Sequence, residues 1–433
     1  MWLAVAICDG LTDLPGVTTE RGAWLEREVC VIAEKLANMK LVPGREPPDF
    51  SLVRGGPLFQ LYRRAHLSGD ALELLRRRVI VVTLLAWLPL LVLSLVEGHA
   101  LAGAARIPFL YDIEAHVRFL IALPFLIVAE VIVHSRIAPL ARWLVERRIV
   151  SKEDLPRFNA ALNGALRIRN SIAVELTLLL LAYTLGLWAW WNRIALRADT
   201  WYVVPGTAHL HLSLAGYWYA FVSIPIFQFL LLRWYMRLGL WFRFLWQVSR
   251  MDLRLTAAHP DRAGGIGFLG ENSYAFAPIL FAEGALLAGF IANRVLYDGQ
   301  KLLSFKTEAV GLVVLAVLVV LGPLIMFARQ LERTKWAGSG RFGALANRYA
   351  FAFEEKWIHG GVPESKSLLG TPDLQSLADL STSYTVVEEM RIIPFGPRQV
   401  AQLAAATAAP LLPLLFTRIS FDVFLTRLVK IFF

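Results

Sequence analysis

Long apolar runs alternate with segments that are by turns rich and poor in arginine, and this alternation limits the fold more than any other feature of the chain. The first clear run, 79–96, follows directly on Arg76, Arg77 and Arg78. A helix needs roughly 20 apolar residues to cross the hydrocarbon of a bilayer. Seven segments meet or approach that length: 79–97, 117–135, 172–191, 214–233, 274–296, 308–328 and 400–417. The chain therefore reads as all-α, a polytopic transmembrane helical bundle of about seven spans with a helical cytoplasmic layer.

The basic residues sort by segment. The stretches 40–78, 136–171, 233–273 and 329–399 are dense in arginine, whereas the opposite connections hold only Arg106, then Arg193 and Arg197, then Lys301 and Lys306. By the positive-inside rule the N-terminal side and the large loops are cytoplasmic. Composition agrees: 57% of residues are hydrophobic, 18% are charged, and the mean hydropathy is +0.53. A soluble domain carries about a quarter charged residues. The net charge of +10 reads as loop bias that attracts anionic lipid headgroups, not nucleic acid, because no basic tract is continuous and no nucleic-acid fold signature occurs.

The organisation expected is as follows. Residues 1–38 read as an extension upstream of a start at Met39, and they hold both cysteines, Cys8 and Cys30, in no metal-like spacing. A cytoplasmic segment covers 39–78. A bundle of six spans covers 79–328, with cytoplasmic loops 136–171 and 234–273. A cytoplasmic helical region covers 329–399. Residues 400–433 form a seventh or re-entrant span, interrupted by Pro410 and Pro413, and an amphipathic tail. Ser151 with Asp154 resembles a capping box for a helix carrying Leu155, Phe158, Leu162 and Leu166. Thr371-Pro372-Asp373 reads as the start of another helix.

Acids within a bilayer are costly and each needs a reason. Glu130, Glu175 and Glu283 all fall inside spans, and His134 lies one turn beyond Glu130 on the same face. These four could line a pathway or bind an ion. They could equally form structural ion pairs, with Arg118, Arg136 and Arg294 as partners; a metal site is not indicated, since the E-x-x-x-H spacing is weak by itself. Past the fourth span, Trp234, Tyr235, Trp241, Phe242 and Trp246 interleave with Arg233, Arg237, Arg243 and Arg250. That reads either as an interfacial belt or as a site for an anionic group.

The loop HPDRAGGIGFLG, 259–270, precedes the fifth span. Its GxGxxG lacks the preceding strand that a dinucleotide fold requires. It reads as a tight packed loop or as a ligand or gating loop, with His259, Asp261, Arg262, Gly264, Gly265 and Gly267 as the residues concerned. No GxSxG, P-loop or thiol motif occurs in the apolar body, and the sequence names no cofactor and no catalytic residue.

Together with GGPLFQLYRR (55–64) and MRIIPFGPR (390–398), this loop resembles a family of multi-pass bacterial inner-membrane proteins to which no activity is assigned. The resemblance covers roughly residues 55–433. It implies a bacterial inner-membrane location with the chain as a multi-pass helical protein, and no chemistry.

The function expected is a conduit or transporter for an ion or small solute with a polar pathway in the cytoplasmic half, assembled as a homo-oligomer. Small residues such as Ala285 and Gly289 permit close helix contact. The alternatives are a membrane-embedded enzyme acting on a lipid-linked substrate, with His259, Asp261 and Glu283 as acid–base groups, and a non-catalytic sensor or assembly partner docking through 329–399.

Overall fold

A computed structural model describes residues 51–53, 55, 57, 60, 74–101, 107–189, 192, 200–203, 212–359 and 372–417. All belong to one compact unit, residues 50–433. Helices account for nearly all of the regular structure. Pairing among the described residues is limited to isolated bridges joining Ile107 to Thr200, Val150 to Leu253 and Val203 to Leu212.

Five helices are long and apolar enough to cross a membrane. We label them with their neighbours in chain order. The spanning helices are α1 (Leu75–Val96), α2 (Ile113–Glu146), α5 (Leu214–Val248), α6 (Phe268–Tyr297) and α7 (Leu302–His359). Between them lie α3 (Leu155–Arg169) and α4 (Ile172–Leu181), and after them α8 (Pro372–Glu388) and α9 (Pro397–Ala408).

Helix α1 shows what makes these helices suited to a bilayer. Its buried residues are Arg78, Val82, Ala86, Leu90 and Ser94, one every four residues along a single face. The remaining faces expose Ile80, Leu84, Leu88, Val92 and Leu95. Helix α7 repeats the pattern, with Val310, Val314, Leu315 and Leu318 exposed. Large aliphatic side chains thus cover the outward faces as well as part of the inward one, an arrangement that suits a hydrocarbon solvent and would be an aggregation liability in water. At 22 residues, α1 is roughly 33 Å long, enough for the apolar layer.

The third expected span, 172–191, is described as a shorter apolar helix, Ile172–Thr184, below spanning length. The seventh, 400–417, has a different form. Helix α9 has only 12 residues, roughly 18 Å, and the chain from Ala409 to Thr417 tightens into 3-10 geometry around Pro410 and Pro413. Helix α9 still packs against α6 and α7. Gly284 on α6 makes this contact possible, because a Cβ there would lie 2.0 Å from the Thr407 carbonyl oxygen. Expectations for 1–38, for most of 39–73 and for the amphipathic tail after Thr417 fall outside the described residues, as does Thr371.

The helices expected outside the spans are present among the described residues. Ser151 Oγ accepts a hydrogen bond from the Asp154 amide at 3.2 Å. Helix α3 then begins at Leu155 with Phe158 and Leu162 buried, and it packs on α5. Helices α7 and α8 run antiparallel. Ser339 Oγ donates to Glu388 at 2.7 Å near one end, and Tyr349 Oη donates to the Asp373 carbonyl at 3.0 Å near the other. The pair buries little: Trp336, Phe351 and Ile358 are 76%, 70% and 65% exposed. It leaves the bundle as an arm with its own unpartnered apolar groups.

Candidate functional site

Among the described residues, the acids singled out by the sequence fall into two separate polar centres. The first gathers around Glu130 on α2. Arg78 of α1 and Arg237 of α5 each approach its carboxylate at 2.8 Å, and Arg233 of α5 lies at 3.6 Å. Arg233 also reaches Glu175 of α4 at 3.3 Å. Every one of these side chains is 8% exposed or less. The helical period explains the arrangement. Arg233, Arg237, Trp241 and Phe244 share the inward face of α5, whereas Tyr235, Phe242, Trp246 and Arg250 share the outward one. The interleaved aromatic–arginine stretch is thus two faces, of which only the outward one resembles an interfacial belt. Trp234 closes the inward face, donating from Nε1 to the Leu126 carbonyl at 2.9 Å, with the Arg237 guanidinium 4.7 Å from its ring centre.

Below this cluster, His134 Nδ1 lies 2.8 Å from Ser51 Oγ. Arg169, at the end of α3, donates to the Ser51 carbonyl. Burial, reinforced by the nearby Arg233 charge, pushes the Arg169 guanidinium down to about 10. The structure therefore brings Glu130 and Glu175 together through Arg233, and it pairs His134 with Ser51 instead of with Glu130. Of the arginines offered by the sequence as partners, Arg118 pairs with Glu114, Arg294 with Asp298, and Arg136 lies over the Tyr274 ring.

The second centre contains Glu283. It lies on α6 and accepts a hydrogen bond from the Tyr235 hydroxyl; among the described residues it has no cationic partner. It lines a cavity of about 510 Å³ together with Glu114, Arg118, Gln228 and Glu308, the rest of the wall being leucine, isoleucine and phenylalanine side chains. That volume lies in the range of small-molecule sites. Arg118 is held by Glu114, one turn earlier on α2. Both α2 and α5 are locally widened beside the cavity, into π geometry over Val117–Ala122 and Tyr219–Ser223. Such π segments often mark functional positions within helices.

The sequence reading missed Glu114 and Glu308 because they fall at the edges of apolar runs, where a charge needs no explanation. It also took Arg78 and Arg233 as loop charges. The available signal was spacing: Glu114 with Arg118, and Arg233 with Arg237, are each four apart and so share a helix face.

The 259–270 loop is a separate, closed arrangement. The Asp261 carboxylate accepts backbone hydrogen bonds from Ala263 at 2.8 Å, Gly267 at 2.9 Å and Gly265 at 3.1 Å. His259 Nδ1 lies 2.8 Å from the same carboxylate. Burial raises the proton affinity of Asp261, but the three amides and the neighbouring His259 outweigh it and hold the carboxyl below its usual range. Gly265 adopts φ +96°, a conformation that favours glycine, so the amides can converge. The loop also grips the 390–398 stretch. The Arg391 amide donates to the Arg262 carbonyl at 2.7 Å, its guanidinium donates to the Asp261 carbonyl at 3.0 Å, and Arg262 pairs with Glu389 at 2.9 Å. Gly264 packs against Leu331 and Met390. Two of the three motifs behind the family resemblance thus meet in space.

Among the described residues, no group of three histidine, cysteine, aspartate or glutamate side chains is placed to hold a metal ion. No family model, no curated protein and no solved structure matches this chain.

Proposed function

We propose that this membrane protein is a conduit or transporter for an ion or small solute, with the Glu283 cavity as its pathway. One observation carries the reading: a half-buried carboxylate with no counter-charge among the described residues opens onto a cavity large enough for a solute. An acid of that kind inside a bilayer is a functional position by default. The Glu130, Glu175 and His134 region, crossed by arginines from α1 and α5, is the closed and rigid end of the same pathway. The clasp formed by His259, Asp261, Arg262, Gly264, Gly265 and Gly267 lies at the start of α6 against the end of α2, on the Glu130 side and away from Glu114 and Glu308. In this reading the arginine-rich loops, the N-terminal side and the α7–α8 arm lie on the cytoplasmic side by the positive-inside rule, with anionic headgroups around the inner rim.

The test is ion flux in proteoliposomes. Wild-type protein carries flux, and Glu283→Gln reduces it at least tenfold without loss of folded protein. Equal flux in the two, or none in either, contradicts the reading.

A second reading is favoured by the arm. Trp336, Phe351 and Ile358 are exposed on a helix pair with almost no core of its own. Such a surface suits an assembly partner or a further copy of the chain.

A further inference from the structure

The cavity that holds Glu283 has an unusual balance of polarity. Its four charged residues are Glu114, Arg118, Glu283 and Glu308. Glu114 and Arg118 neutralise one another. That leaves two carboxylates, neither in an ion pair among the described residues, facing a wall built from side chains such as Phe227 and Phe290. The surplus is negative, which disfavours an anionic ligand.

The wall also discriminates among cations. A small inorganic cation keeps or replaces its hydration shell with several oxygen ligands. Apolar side chains provide none. A bulky cation whose charge is shielded by apolar substituents holds little water, and it gains by burying those substituents. Aromatic faces add attraction for such a group. A pocket with an apolar body and a few placed polar groups is the usual design for a drug-sized ligand.

We propose that the cavity binds a lipophilic organic cation, an amine or quaternary onium carrying apolar substituents, with Glu283 and Glu308 as counter-charges and Phe227 and Phe290 as contact surfaces. This rests on the cavity being the pathway, and it narrows the solute to one chemical class. The lipid-facing side of α7 next to Leu315 gives such a compound a route in from the bilayer, since Leu315 lines the cavity and is itself 58% exposed.

Two probes of nearly identical shape and opposite charge test the claim. Full-length protein in nanodiscs is titrated with tetraphenylphosphonium and with tetraphenylborate. The phosphonium should bind at least tenfold more tightly than the borate. Glu283→Gln should weaken the phosphonium at least tenfold and leave the borate no weaker, and Glu308→Gln, at an exposed position, should weaken the phosphonium severalfold with an unaltered melting temperature. Equal binding of the two probes, or full phosphonium affinity in both variants, overturns the proposal. Flux that depends on Glu283, found with inorganic cations only and without phosphonium binding, overturns the ligand class but keeps the pathway. Phosphonium binding that depends on both glutamates, without flux of any solute, keeps the site and overturns the pathway.

Discussion

Glu130 and Glu283 are both carboxylates among apolar helices, yet their surroundings have little in common. Glu130 is met by three guanidinium groups from two other helices, and Arg233 extends the network to Glu175. Glu283 meets one phenol and a cavity. The first arrangement satisfies its charges and ties α1, α2, α4 and α5 together. The second leaves a charge-bearing group with space in front of it. Their difference teaches that a buried acid in a membrane bundle has to be judged by its partners and not by its depth.

The largest effect expected from this contrast is on folding. Glu130→Gln strands Arg78, Arg233 and Arg237 in a buried site, and breaking such a network by removing one member costs about 3–5 kcal/mol. Thermal melts in detergent should show a large drop or no folded protein. Glu283→Gln should melt within a few degrees of wild type. If the two variants lost stability equally, the contrast would fail.

Next comes the packing of α9. Gly284→Val drives a side chain into the Thr407 carbonyl, an overpacking that costs about 1–3 kcal/mol. Proteolysis near residue 400 should become faster, while Gly311→Val, with no atom near its Cβ, should change nothing.

A smaller effect is expected in the Asp261 clasp, and it depends on pH. The folded-state proton affinity of Asp261 is depressed, so its stabilising contribution is complete above the ordinary carboxylate value of 3.8. It is lost as the pH falls through the lower folded-state value. Asp261→Asn should therefore destabilise by about 1–3 kcal/mol at neutral pH and flatten the acid limb of a stability profile. An acid limb identical to wild type would show that the carboxylate does not hold the loop.

The smallest effect belongs to the arm. Phe351→Ser removes an exposed ring and should move the melting temperature by less than a degree or two, since surface changes usually stay within about 0.5 kcal/mol. A larger shift in a preparation shown to be oligomeric would identify the arm as an interface.

Much of the architecture was legible in the sequence. Apolar runs located α1, α2, α5, α6 and the start of α7, because a lipid-facing helix must be apolar nearly all round. The three-and-four spacing of Leu155, Phe158, Leu162 and Leu166, behind the Ser151 cap, located α3. The form of 400–417 was harder to read, because Pro410 and Pro413 shorten a helix without making it less apolar. The site was legible in part. A glutamate in the middle of a run announces itself, and Glu130, Glu175 and Glu283 were visible for that reason. Which arginine answers which acid was not, since the partners come from helices up to about 100 residues apart, as Arg237 and Glu130 do. A sequence states that a buried charge exists; only the packing states whether it is balanced.

A lipid-soluble carbodiimide takes up a proton and is then attacked by the carboxyl oxygen, so it modifies carboxyl groups that can gain a proton and are not locked in ion pairs, and it tests that balance directly. Peptide mass spectrometry after treatment of the protein in native-like bilayers should find the adduct on Glu283, blocked by prior addition of tetraphenylphosphonium, with Glu130 unmodified. An adduct on Glu130 with Glu283 untouched would contradict the assignment of one acid to structure and the other to function.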